Sequence, residues 1–293
     1  MLTRPRGPHR PIWRSVGGKD PGVRTRALPA ALRLGAGLTL GYLVACSGST
    51  SNQPVGDPER MSVSEYDLAR DAWLRENQPR DALAHAIKAT ELDPSNADAL
   101  HLVALLYLDF CRRTPDECRL AEAERYARAA LDARSDYREA RNTLGVVLIH
   151  EKRPSEAIAV LKPLAEDMLY QTPEMAWGNL GWAYLEAGQI DLAMDALRRS
   201  VAAQPQFCVG HFRLGLAHER KGQFRLALQS LDRALDSTEP RCARLQAAYA
   251  ARARVHLRLG QNDAAAADID RCVQLDRTSE DARDCEATRR KLK

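Results

Sequence analysis

Apolar and polar positions along residues 138–240 follow a helical beat that restarts about every 34 residues. Aligned on their glycines, three copies read Arg141-x-x-Leu144-Gly145-x-x-Leu148, Trp177-x-x-Leu180-Gly181-x-x-Tyr184 and His211-x-x-Leu214-Gly215-x-x-His218. About a dozen residues after each glycine a small residue (Ala157, Ala193, Ala227) opens a second apolar stripe. Spacing of this kind predicts two amphipathic helices per unit. A unit so short cannot cover its own apolar face, so successive copies must stack. The fold class is therefore all-α.

The beat extends in both directions, giving units over 63–96, 97–137, 138–173, 174–207, 208–241 and 246–279. The first starts weakly (Tyr66, Ala69, Trp73) but closes with Ala82, Ala89 and Asp93-Pro94, where the proline stops the helix. The second carries about seven extra residues around Cys111–Cys118, a lengthened inter-helix turn. Glycines at 188, 222 and 260 mark the turns of the last three units. Residues 279–293 form a charged final helix, the polar cap that a stacked array needs for solubility. The unit resembles the tetratricopeptide repeat, which implies a superhelical solenoid of about six helical hairpins plus a C-terminal capping helix. Counting each glycine as the eighth position, small residues recur at positions 8, 20 and 27, where helix axes only ~8–10 Å apart exclude bulk. Gly145, Gly181 and Gly215 are thus structural, and no Gly-rich phosphate loop is present.

Charge separates the first 45 residues from the rest. They hold eight Lys or Arg against Asp20 alone, so of the net +4 the remainder carries −3. A slightly acidic repeat domain argues against nucleic acid as partner, which needs a concentrated basic surface. The basic start precedes Leu34–Ala45, a mostly apolar run too short for a spanning helix, which needs roughly 20 residues. Residues 1–45 are therefore predicted to be an export signal. Leu43-Val44-Ala45-Cys46 resembles the lipobox of bacterial lipoproteins, which implies acylation of Cys46 and a membrane-anchored protein. Ser47, not an acidic residue, follows it; by resemblance to lipoprotein sorting rules this implies the outer membrane, facing the periplasm. Residues 46–60, polar with Gly and Pro, read as a flexible tether.

Export to an oxidising compartment permits disulfides. Beyond Cys46 six cysteines remain. Cys111 and Cys118 flank the insertion and are predicted to staple it. Cys208 and Cys242 lie one repeat apart, near the starts of stacked first helices. Cys272 closes the last hairpin and Cys285 sits on the cap that packs against it, so Cys208–Cys242 and Cys272–Cys285 are the other two predicted bridges. The middle bridge requires adjacent repeats to bring the Cα atoms within ~7 Å; six free thiols are the alternative.

Catalytic chemistry is sparse. Cys208, His211 and His218 share a helix, but both histidines fall at core positions and no fourth ligand is near, so no metal is predicted. His101 and His150 have no nucleophile motif beside them. We read the chain as a non-enzyme without cofactor; a catalyst using Cys208 and His211 is the reading that disulfide status discriminates against. Positions 2, 5, 9 and 12 of the first helices are expected to line a partner groove. They are His101, Leu105 and Leu108; Asn142, Val146 and Ile149; Met175, Trp182 and Leu185; and Phe212 and Leu216. Such a groove is mainly apolar and suits an amphipathic helix or apolar strand. Trp182 and Phe212 are the strongest anchors, whereas Leu105, Val146 and Leu216 could instead complete inter-helix packing.

The run Asn142-x-x-Gly145-x-x-Leu148-x-x-Glu151-Lys152-Arg153-x-x-Glu156-Ala157, with Asp167-Met168-Leu169-Tyr170 and Asn179-Leu180-Gly181 after it, is similar to the tetratricopeptide pilotins of type IV pili (the Tgl and PilF type). That resemblance implies an outer-membrane lipoprotein that helps the pilus secretin insert and multimerise. An adaptor lipoprotein scaffolding another cell-envelope complex is the alternative. If Cys46 is the lipidated residue, Cys46→Ser or globomycin leaves the precursor unprocessed and the protein out of the membrane fraction; normal processing would contradict the assignment.

Overall fold

The computed structural model describes residues 56–236 and 240–292. The export signal, Cys46 and most of the tether lie outside them. The described chain is helical, with no strand. Helices α1 (Pro58–Leu74) and α2 (Pro79–Leu92) form the first hairpin, α3 (Ala97–Arg113) and α4 (Leu120–Ala133) the second, α5 (Arg138–His150) and α6 (Pro154–Ala165) the third. The next three pair α7 (Pro173–Glu186) with α8 (Ile190–Ala203), α9 (Cys208–Arg220) with α10 (Phe224–Leu235), and α11 (Gln246–Arg258) with α12 (Asn262–Leu275). Helix α13 (Glu280–Arg289) closes the stack. None of these helices is long and apolar enough to cross a membrane.

Local chemistry sets the helix ends. Proline opens α1, α2, α6 and α7, where its missing N–H costs nothing. Asn96 and Ser279 accept hydrogen bonds from the backbone N–H of Ala99 and Ala282, both at 3.0 Å. Helix α1 begins at Pro58, capped by Asp57, so the last residues assigned to the tether are helical instead. Regular hairpins turn through one residue of positive φ: Asn77, Lys152, Gly188, Gly222 or Gly260. Glycine adopts that conformation without Cβ strain. The second hairpin uses the insertion instead, closed by the Cys111–Cys118 bridge around a 3-10 turn at Pro115–Glu117.

Packing within a hairpin follows from its small residues. A Cβ on Gly145 would stand 2.4 Å from Leu161, one on Gly181 2.5 Å from Leu197, and one on Gly215 2.7 Å from Leu231. All three leucines are fully buried, so each glycine is the socket for a leucine of its partner helix. Between hairpins, the first helices touch their counterparts (α1 to α3, and on to α11), while second helices make no comparable contact. The first helices therefore lie on the inner radius of the solenoid. The spacer after α6 is pinned by Arg138, which donates to Asp167 at 2.6 Å, and by buried Tyr170.

Two further bridges stand at the C-terminal end. Cys208, the first residue of α9, pairs with Cys242, on a 3-10 turn just ahead of α11, with Cα atoms 5.7 Å apart. Cys272 pairs with Cys285, Cα atoms 6.5 Å apart, and fastens α13, which exposes Arg283, Asp284 and Glu286 to solvent. Arg254 reaches from α11 to Glu219 on α9 and Asp284 on α13, both at 3.1 Å.

A polar ladder runs between the first helices. His101 on α3 meets Tyr137 Oη at 3.1 Å and Thr143 Oγ1 at 2.9 Å. Asn179 on α7 donates to Asn142 on α5 at 2.9 Å, and Arg213 on α9 donates to Asn179 at 2.8 Å. Buried polar groups must be paired, and these pairs fix the register of one hairpin on the next. Burial holds the His101 pKa down at about 4.

Two predictions follow from these contacts. Gly181→Ala is expected to destabilise by ~1–3 kcal/mol through overpacking against Leu197, read as a lowered urea midpoint; an unchanged midpoint would show that the socket yields. A His depressed in the fold binds its proton more readily unfolded, so stability is full above pH ~6.5 and falls as pH drops through that value towards ~4, by about 2–3 kcal/mol. Unfolding titrations of His101→Gln between pH 7 and 4.5 should therefore be flatter than wild type by about one proton, and an equal slope contradicts the assignment.

Candidate partner-binding groove

On the inner radius the first helices of five hairpins converge on one cavity of about 560 Å³. Its floor is apolar: Leu105 and Leu108 from α3, Val146 from α5 and Trp182 from α7, with Trp73 and Leu120 beside them. The Cys111–Cys118 staple forms part of the lining. Trp182 is held between two neighbours, His150 edge-on at 5.1 Å and the Arg213 guanidinium at 4.6 Å. An aromatic ring fixed on both sides loses little side-chain entropy on binding, which favours it as an anchor.

Polar groups sit at the two ends. Asp109 on α3 accepts from Trp73 Nε1 at 3.3 Å and pairs with Arg112 and Arg113, both at 2.6 Å, so its charge is neutralised. At the other end Arg213 has Asn179 as its hydrogen-bond partner and no ion pair among the described residues. Burial pushes its pKa down to about 10, leaving it a cation at neutral pH. His150 is also held below the usual imidazole range, first by burial and then by the charges of Lys152 and Arg213. The groove thus offers an apolar strip to a partner, with cationic character where Arg213 enters.

The expected groove residues divide into three sets. Leu105, Leu108, Val146 and Trp182 line the cavity together. His101, Asn142, Ile149 and Leu185 do not: they are between 1% and 8% exposed, the first two consumed by the polar ladder and the others by the core. Met175 is 40% exposed but stands outside the cavity. Phe212 and Leu216 are half-buried against the cluster that holds Leu231 and Val255 and do not line this cavity. Trp73, Asp109, His150 and Arg213 were missed. In the glycine-eighth register, position 9 lines the groove in three units, while His150 falls at position 13 and Arg213 at position 6. Positions 6, 9 and 13 share one helix face at i, i+3 and i+7; positions 5 and 12 rotate under the neighbouring helix, except at Leu108, which stays in the lining.

No group of His, Cys, Asp and Glu suited to a metal ion occurs among the described residues. Both histidines lie on α9, where His211 contacts the Pro205 carbonyl at 2.9 Å in the preceding loop and His218 contacts Gln223 at 2.8 Å in the hairpin turn. Cys208 is bridged and so has no free thiol.

Tetratricopeptide-repeat family models match residues 119–168, 176–207 and 212–282, together just over half of the chain. The type IV pilus assembly protein PilF of Pseudomonas aeruginosa is 32% identical over 164 residues, 53% of this chain and 62% of that protein. The crystal structure of PilW, described as a widely conserved type IV pilus biogenesis factor, superposes with a TM-score of 0.61 at 26% identity, covering 76% of this chain and 96% of PilW. The solved structure of Pseudomonas aeruginosa PilF gives 0.58 at 20% identity, covering 78% and 98%, a likeness of fold. Proteins built on this scaffold are typically interaction modules that bind other proteins. The chain belongs to the tetratricopeptide-repeat proteins and is related, at modest identity, to the type IV pilus factors PilF and PilW.

Proposed function

We propose that this protein is a type IV pilus pilotin, an outer-membrane lipoprotein anchored through acylated Cys46. It binds the pilus secretin in the inner-radius groove and promotes its membrane insertion and multimer assembly. The observation that carries this reading is the 32% identity to PilF over 164 residues. The extension of PilW's fold over 76% of this chain supports it. The lipobox-like run ending at Cys46 and the short apolar segment before it support the location.

The mechanism is holding rather than catalysis. A secretin protomer awaiting assembly exposes apolar surface that water disfavours. The strip formed by Leu105, Leu108, Val146 and Trp182 covers such surface reversibly, while the lipid anchor keeps the pair at the membrane where assembly occurs. Nothing in this role requires a metal, a cofactor or a bond-making step.

Deleting the gene is expected to abolish heat- and detergent-resistant secretin multimers and piliation, and the wild-type copy to restore both. Trp182→Ala should weaken co-purification with secretin by about 2 kcal/mol or more in binding, with an unchanged circular-dichroism spectrum. Normal multimers and piliation in the deletion strain would contradict the proposal.

A further inference from the structure

Arg213 is the one groove-lining cation whose charge the fold leaves uncompensated among the described residues. Arg112, the other arginine of the lining, is paired with Asp109. Glu186, on α7, is engaged by Lys152 at 3.6 Å and Arg220 at 3.5 Å. Arg213 instead has a neutral amide, the Asn179 side chain, and the face of Trp182. Asn179 is in turn held by Asn142, so three successive first helices, α5, α7 and α9, fix the guanidinium in place.

A half-buried cation without a counter-charge is costly, and an anion brought by a partner offsets that cost. The guanidinium fork matches a carboxylate bidentately, and the Asn179 contact uses one of its five N–H donors. The same group stacks on Trp182, the aromatic anchor of the apolar floor, so a carboxylate seated on Arg213 lies next to whatever apolar side chain covers the indole.

We propose that Arg213 is the specificity-determining residue of the groove, reading the side-chain carboxylate of an Asp or Glu in a partner segment whose apolar residues cover Trp182, Val146 and Leu105. A side-chain carboxylate is favoured over a chain terminus because the solenoid continues beyond Arg213 into α11, so the bound segment runs on rather than ending there. This rests on the groove being the partner site proposed above and adds its recognition chemistry.

The test selects binders of the full-length protein from a library of random peptides with amidated C termini. Recovered peptides are expected to carry an apolar pattern with one enriched Asp or Glu, and Trp182→Ala should lose them. For a selected peptide, changing that acid to its amide should weaken binding about tenfold or more on wild type. On Arg213→Met the same change should matter less than about twofold, and Arg213→Lys, which keeps the charge but loses the fork, should fall between. Circular dichroism confirms that the variants are folded, and the acid enrichment on wild type stands independently of them. No recovered peptide, no acidic enrichment, an acid effect equal on wild type and Arg213→Met, or an acid needed only as a free C terminus would overturn the proposal. Whether purified secretin displaces the selected peptide decides the pilotin reading separately.

Discussion

The approach of the two helices inside each hairpin is the constraint from which the rest of this structure follows. Gly145, Gly181 and Gly215 have no side chain to hold Leu161, Leu197 and Leu231 away, and those leucines are among the most deeply buried residues of the chain. The contact is the same in three successive units. Each hairpin thereby presents a flat apolar face to the next one, and because hairpins contact only their neighbours, the array depends on every such face being formed. The lengthened turn in the second hairpin is tolerated because the Cys111–Cys118 bridge closes it locally, with Cα atoms 4.1 Å apart.

Stacking of hairpin on hairpin has a second, polar component. The ladder from His101 to Thr143, and from Asn142 through Asn179 to Arg213, crosses the inner radius where first helices meet. Polar pairs are directional in a way that apolar contacts are not, so the ladder sets register as well as contributing to stability. Its last member has a further consequence. By ending on a cation instead of a neutral group, the ladder brings charge to the wall of an otherwise apolar groove. In the proposed reading, structure and recognition share the same residues, Asn179 and Trp182 among them.

Much of the architecture was legible in the residues because both helix period and repeat period are strong signals. The positions of Gly145, Gly181 and Gly215 and the spacing of the six cysteines each carry direct geometric meaning. The groove was only partly legible. Leu105, Val146 and Trp182 sit at one register position and emerged from the repeat, but His101 and Asn142, four positions earlier, are turned into the ladder. Arg213 was passed over because an arginine beside Phe212 looks like ordinary helix surface. Its neutral partners lie 34 and 31 residues away along the chain, at Asn179 and Trp182, and only the stacked fold brings them to it. Helix α1 began earlier than its weak apolar pattern suggested, since its start is set by Asp57 and Pro58 rather than by a hydrophobic stripe.

The central claim is that the inner-radius groove, and not the outer surface, receives the partner. The most direct measurement places a photo-crosslinking amino acid at position 146 on the groove floor, or at position 226 on exposed α10, in piliated cells. The account predicts a secretin adduct from position 146 and none from position 226. Adducts formed only from position 226, or from neither, would contradict it.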